Sequence, residues 1–489
     1  MEIKVERTGY IDGRYVAGEG AEFTVENPSD QSVLAQLRGL SMAQVDTAIA
    51  AARTAFDAGE WSGYSRDQRA AIMRKYAVAL ASHADRLTEL AVLEAGCPIS
   101  SSVMFAQVQT PIRHADEIVD VYLSLPEIEE NPLPMHERLG MAGSPMQSVR
   151  RYLPHGVVSA IAAYNVPLFT ALWKVIPALI TGNTVVLRPN PLTPISAMIF
   201  AEAAEEAGLP AGVLNVVIEG GHEGGQMMSS DPRVDMVSFT GSVGVGISIA
   251  QQAAPTLKPM VLELGGKSAQ IFLPDSIASA AMHARVICTA HAGQGCALGT
   301  RLFVPEDSKV EVLAKAAELL AAIKIGPASD PATETGPLIN AAAVARCERL
   351  VAEAVAAGGK VVFGGKRPAH MTSGYYFEPT LLDLPDNANP LAQEEVFGPV
   401  AAVIGYRDLD HAIAMANDSK FGLSGWVHGA DKRLALSVGQ RMRSGSINVN
   451  NGVTSAWASM GGIKLSGMGR ERGPEGIRGF QQMSVLNFS

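Results

Sequence analysis

Cys296 closes the run Gly293-Gln294-Gly295-Cys296, whose two glycines let the backbone approach a bound molecule and leave the sulfur on an irregular segment behind a helix. A thiolate there could act as a nucleophile once its pKa is lowered, whereas a cysteine packed in a core is a small hydrophobe. Cys288 falls inside the preceding helix, and Cys97 and Cys347 lack any such setting, so these three read as structural. Glu263 ends an apolar strand and is followed by Gly265-Gly266-Lys267-Ser268. Partial desolvation would raise its carboxyl toward the range of a general base; in water it would be an ordinary strand-end glutamate. The Gly-Lys-Ser run is no phosphate loop, because Val261 occupies the position where that motif needs a glycine.

Two further segments could hold ligand atoms. Phe239-Thr240-Gly241-Ser242-Val243-Gly244-Val245-Gly246 passes from a strand into a helix start, where free N–H groups and the helix dipole favour a pyrophosphate. Ile249 breaks the GxGxxG spacing, and a plain helix cap is the other reading. Gly220-Gly221 and Gly224-Gly225 offer a second close approach of backbone. Asn165, in Ala163-Tyr164-Asn165-Val166-Pro167, sets an amide inside an apolar stretch, either as an oxyanion donor or to satisfy a buried turn.

The elements that must position these residues follow from periodicity. After a short polar opening the chain reads as helical, with Ser41 and Gln44 forming a capping box ahead of Val45, Ile49, Ala52 and Phe56. Ile72, Tyr76 and Leu80 mark a second helix. From Asn183 onward short apolar runs alternate with helices. Thr184–Leu187, Val213–Ile218, Met236–Phe239 and Pro259–Leu264 read as strands, and Thr193-Pro194 as the cap of a helix that ends at Gly208. This rhythm predicts an α/β fold, a parallel sheet covered on both faces. A second α/β region begins near Gly265, with strands at Ile271–Leu273 and Leu302–Val304 and helices over 277–292 and 308–324. Gln147–Leu153 and Ser484–Phe488 fit neither region and read as strands that pair with another subunit or as plain edge strands.

Composition narrows the class. A chain of 489 residues implies two or three packed domains, and 47% apolar with 18% charged residues is ordinary for a globular protein. A net charge of −10 with no basic run argues against a nucleic-acid partner. Met1–Arg7 lacks the apolar core of a signal peptide, and Gly156–Leu187, the most apolar stretch, is interrupted by Asn165, Lys174 and Asn183. Four cysteines without CxxC spacing suit neither a disulfide scaffold nor a metal site, so a reducing cytoplasm and no metal are expected.

Taken in order, these segments resemble the NAD(P)-dependent aldehyde dehydrogenase superfamily over nearly the whole chain. Glu263 lies in an ELGGK run, Cys296 in GQxC, and Glu394-Glu395-Val396-Phe397-Gly398-Pro399 and Gly461-Gly462-Ile463-Lys464-Leu465-Ser466-Gly467 match two more family segments. The resemblance implies Cys296 as nucleophile, Asn165 as oxyanion donor, Glu263 as base, and Lys174 and Glu471 in proton relay or cysteine activation. It implies a modified Rossmann coenzyme domain (1–135 and 154–264), an α/β catalytic domain (265–473) and a β oligomerisation element (136–153 and 474–489) serving a homodimer or homotetramer. Ala162, Tyr164, Arg188, Pro191, Gly221, Gly225, Phe239, Gly241, Ser242, Leu264, Gly265, Glu395 and Phe397 would hold NAD. Arg188 replaces a lysine, and Pro191 a glutamate common in NAD-preferring relatives, so NADP is the alternative cofactor. Val166, Phe169, Thr170, Trp173, Ala290, Val453, Thr454, Trp457 and Met460 would line the substrate tunnel. This set is mostly apolar and contains no arginine, which points to an aromatic or medium-chain aliphatic aldehyde over a dicarboxylic semialdehyde. Oxidation to the acid through a cysteine thioester is the expected reaction. A coenzyme A-acylating enzyme, disfavoured by Glu263, and a silent structural protein on the same scaffold are the alternatives.

Overall fold

The computed structural model describes residues 3–140, 143–452 and 455–489. Val157–Ile161, Thr184–Arg188, Leu214–Val217, Met236–Thr240 and Met260–Glu263 form the parallel body of an eight-stranded sheet. The first two of these strands are buried at every position, as a sheet covered by helices on both faces requires. Gly9–Ile11 and Arg14–Val16 extend one edge of the sheet, and Gly467–Met468 closes the other antiparallel to Met260–Glu263. A seven-stranded sheet built from residues 269–449 includes Ala269–Phe272, Arg301–Pro305 and Val400–Tyr406 in parallel register.

Several expectations need correction. The polar opening is not a bare lead-in to helix, for it holds four short strands, including the antiparallel pair Glu22–Glu26 and Val33–Arg38. The capping box at Ser41 and Gln44 forms as read, on the helix Met42–Ala58. Thr193, however, does not cap the next helix, and its buried hydroxyl has no hydrogen-bond partner. The Glu94 carboxylate, 101 residues earlier, accepts from the Ile195 and Ser196 amides at 2.8 and 3.0 Å. That turn is a 3-10 helix leading into Met198–Ala207, which ends at Gly208 with φ 74°. Gln147–Pro154 pairs antiparallel with Gln481–Phe488 on one side and Ile128–Glu130 on the other in a separate three-stranded sheet, with Gln481–Phe488 on its edge. No described helix is long and apolar enough to cross a membrane.

Candidate active site

The loop before Cys296 is held by backbone that most sequences would refuse. His291, Ala292 and Gly293 have φ of 51°, 51° and 75°, and a Cβ on Gly293 would stand 1.9 Å from the Gly398 carbonyl oxygen. The buried Gln294 side chain fixes the turn, donating to the His291 and Pro337 carbonyls and accepting from the Ile339 amide. Asn165 Nδ2 donates to the Gln294 carbonyl at 2.9 Å, which brings the amide from the end of one sheet to the cysteine loop of the other. Cys296 is half-buried, and burial together with the Glu395 and Glu263 carboxyls pushes its thiol up to about 12. Arg472 and the cysteine's own amide oppose that rise. Cys97, Cys288 and Cys347 are buried, and Cys288 donates to the Pro399 carbonyl, as structural cysteines do.

Glu263 ends its strand inside the protein, with 5% of its surface exposed and no hydrogen-bond partner for either carboxyl oxygen. Burial and the neighbouring Glu471 raise its pKa to about 8, against the pull of Lys174, Arg470 and Arg472. Lys174 donates to Glu471 at 2.5 Å and to the Thr240 hydroxyl at 2.7 Å, within the helix Pro167–Ile180. A buried lysine and glutamate are thus joined across 297 residues beside the Glu263 carboxyl.

A cavity of about 600 Å³ joins these groups to the edge of the first sheet. Cys296, Glu263 and Asn165 line it, together with all thirteen residues expected to contact a dinucleotide and Val166 and Thr170 of the expected substrate set. Ser242 caps the helix Val243–Ala253, whose first-turn amides have no intrahelical acceptor and face the cavity with Gly241 and Gly244. Glu395 accepts from the Gly266 amide at 2.8 Å, and the Phe397 ring meets Tyr164 edge-on at 5.9 Å. These features fit an extended dinucleotide: an anion-binding turn at one end, an acidic hydroxyl acceptor and an aromatic contact near the cysteine at the other. Arg188 is buried in the wall and already paired, Nε to Glu219 at 2.5 Å and Nη2 to the Gly221 carbonyl at 2.5 Å.

The sequence matches the aldehyde dehydrogenase family over residues 15–486. The chain belongs to the aldehyde dehydrogenase family. It is 34% identical to a 3-succinoylsemialdehyde-pyridine dehydrogenase of a Pseudomonas species, covering 98% of both chains. A Mycobacterium tuberculosis aldehyde dehydrogenase solved with NAD+ superposes with a TM-score of 0.93 at 36% identity, over 99% of this chain and 98% of that one. A mutant of aldehyde dehydrogenase C from Pseudomonas syringae, solved with NAD+ and octanal, superposes with a TM-score of 0.91 at 34% identity, over 98% and 96%.

Of the other residues expected in this aldehyde dehydrogenase's tunnel, Phe169, Trp173, Ala290, Trp457 and Met460 do not line the same cavity. The Phe169 and Trp173 rings pack at 6.4 Å, Met460 touches Arg472, Ala290 is the half-buried C-cap of the helix Ala280–Thr289, and Trp457 is 48% exposed. Val453 and Thr454 lie outside the described residues. Sequence reasoning missed Glu219, Arg346 and Arg472. Arg346 lines the cavity, and Arg472 stands over the Phe169 ring at 5.2 Å with one nitrogen on the Met460 sulfur. The only local signal for Arg472 was its place directly after Glu471.

Proposed function

We propose that this enzyme oxidises an aldehyde to its carboxylic acid with NAD+, acting on a substrate whose chain next to the reacting carbon is apolar, aromatic or medium-length aliphatic. The convergence of Cys296, Asn165 and Glu263 on one cavity at the end of a dinucleotide-shaped cleft carries this reading. Cys296 Sγ attacks the carbonyl, and the Asn165 amide and the Cys296 backbone N–H receive the developing oxyanion. A bound oxidised nicotinamide, held beside Phe397 and Glu395, would supply the hydride acceptor that turns the Cys296 adduct into a thioester. Glu263, desolvated and free of hydrogen bonds, then takes a proton from the water that releases the acid. Lys174 and Glu471 hold a charge pair next to it through which that proton can leave. A retained base favours water over coenzyme A as acceptor.

NAD+ is preferred to NADP+ because Arg188, the cation that could dock a 2′-phosphate, is already neutralised by Glu219. Residues 1–135 and 154–264 form the coenzyme domain, 265–473 the catalytic domain, and 136–153 with 474–489 an oligomerisation element. Exposed Met483, Val485 and Phe488 on its edge strand suit pairing with a second copy in a dimer or tetramer. Four free cysteines suit a reducing cytoplasm.

Purified protein mixed with NAD+ or NADP+ and hexanal or benzaldehyde should reduce NAD+, followed by near-ultraviolet absorbance, and Cys296→Ala should not. In Glu219→Gln the NADP+ to NAD+ affinity ratio, measured by calorimetric titration, should rise about tenfold. No reduction of either cofactor with any aldehyde would refute the dehydrogenase reading, and an unchanged affinity ratio would refute the role given to Glu219.

A further inference from the structure

We propose that Arg472 is the substrate-specificity residue of this enzyme, reading a carboxylate carried at the far end of the aldehyde. This rests on the dehydrogenase reading above and extends it. Arg472 is half-buried, and none of the ion pairs among the described residues includes it, since no carboxylate oxygen lies within 4.0 Å of its guanidinium. Three neighbouring cations have fixed partners: Lys174 holds Glu471, Arg188 holds Glu219, and Arg346 donates to the Val396 carbonyl. Arg472 instead sits over the Phe169 ring at 5.2 Å and touches the Met460 sulfur, both weak partners for a partly desolvated guanidinium.

The position is built rather than loose. The Met460 and Glu471 backbones exchange two hydrogen bonds, at 2.7 and 2.8 Å, which fix the segment carrying Arg472 against the Met460 side of the site. Arg472 itself has φ 60°, a conformation rare outside glycine. Unpartnered polar groups lie alongside. Trp173 Nε1 and both ring nitrogens of His114 are buried without hydrogen-bond partners, and the two rings meet edge-on at 5.5 Å, with Phe169 6.0 Å from His114. The nearest carboxylate to His114 is Glu117, at 3.8 Å. Burial, with Arg472 and Arg113, lowers the His114 pKa to about 4, so the ring is neutral at pH 7 and adds donor capacity without a second charge. A cation and two neutral donors around an aromatic wall complement an anionic oxygen pair on an otherwise apolar chain. The expectation of an arginine-free tunnel is revised accordingly: the body of the substrate is apolar, its end is not.

The test compares 6-oxohexanoate, its methyl ester and hexanal as substrates of the wild-type enzyme, Arg472→Met and Arg472→Lys. The wild type should show the highest kcat/KM for the carboxylate. The carboxylate-to-hexanal ratio should fall at least tenfold in Arg472→Met, mainly through KM, and recover partly in Arg472→Lys. Adipate, the carboxylate product, should protect wild-type Cys296 from iodoacetamide better than hexanoate does, a difference lost in Arg472→Met. A wild type that prefers hexanal, an ester equal to the carboxylate, or a ratio unchanged in Arg472→Met would each overturn the assignment. Hexanal turnover by the wild type would still uphold the dehydrogenase reading in all three cases. A mutation that lowers kcat for all three substrates equally would place Arg472 on the cysteine instead and refute its role as a specificity residue.

Discussion

Glu263 carries two constraints that pull against each other. As the proposed base, its carboxyl must be anionic to accept a proton from water, yet burial and Glu471 raise its pKa to about 8. A raised carboxyl pKa means the base form is scarce below that value and fills as pH rises through it. Single-turnover release of acid from the thioester should therefore climb about tenfold per pH unit from 6 toward 8 and flatten above. Removing the like charge with Glu471→Gln should move the midpoint down, detected by quench-flow across pH. A midpoint near the ordinary carboxylate range in the wild type would contradict the burial argument. The high thiol pKa of Cys296 has a similar origin, burial together with the Glu395 and Glu263 carboxyls.

At the scale of elements, the helix Met198–Ala207 shows what local pattern reading misses. Thr193 and Pro194 form a legitimate cap by sequence, but the amides they would serve are taken by Glu94 from another helix. Glu94 is fully buried, and its pKa is raised to about 8 by burial in spite of those two bonds. Glu94→Ala would leave two buried N–H groups unpaired and should cost roughly 1–3 kcal/mol, read as a lower midpoint in urea unfolding. Glu94→Gln should cost less, since its amide oxygen still accepts. Equal midpoints for wild type and Glu94→Ala would show that those amides find other partners. The strands and helices from Thr184 to Leu264 were legible because their apolar runs and glycine stops are local. The partners that fix the site are not: Lys174 meets Glu471 and Arg188 meets Glu219 over separations of 297 and 31 residues. The types of Cys296, Glu263 and Asn165 could be named from neighbours in sequence, whereas Arg472 gains meaning only beside Phe169 and Met460, which no spacing rule connects.

Across the whole molecule, the three-stranded sheet leaves apolar side chains on an open edge. Gln481–Phe488 is an edge strand, and Met483 and Val485 project two residues apart with 60% and 50% of their surfaces exposed. Charge at an exposed edge blocks strand addition. Met483→Asp with Val485→Asp should convert an oligomer to monomer by light scattering while leaving the far-ultraviolet dichroism intact. An unchanged mass would place the interface elsewhere.

The strand Gly467–Met468 has a bearing on how far the enzyme can be shortened. It completes a sheet whose other strands all end by residue 263. Directly behind it come Glu471 and Arg472. Any truncation that removes this returning segment should therefore silence the enzyme long before it prevents the rest from folding.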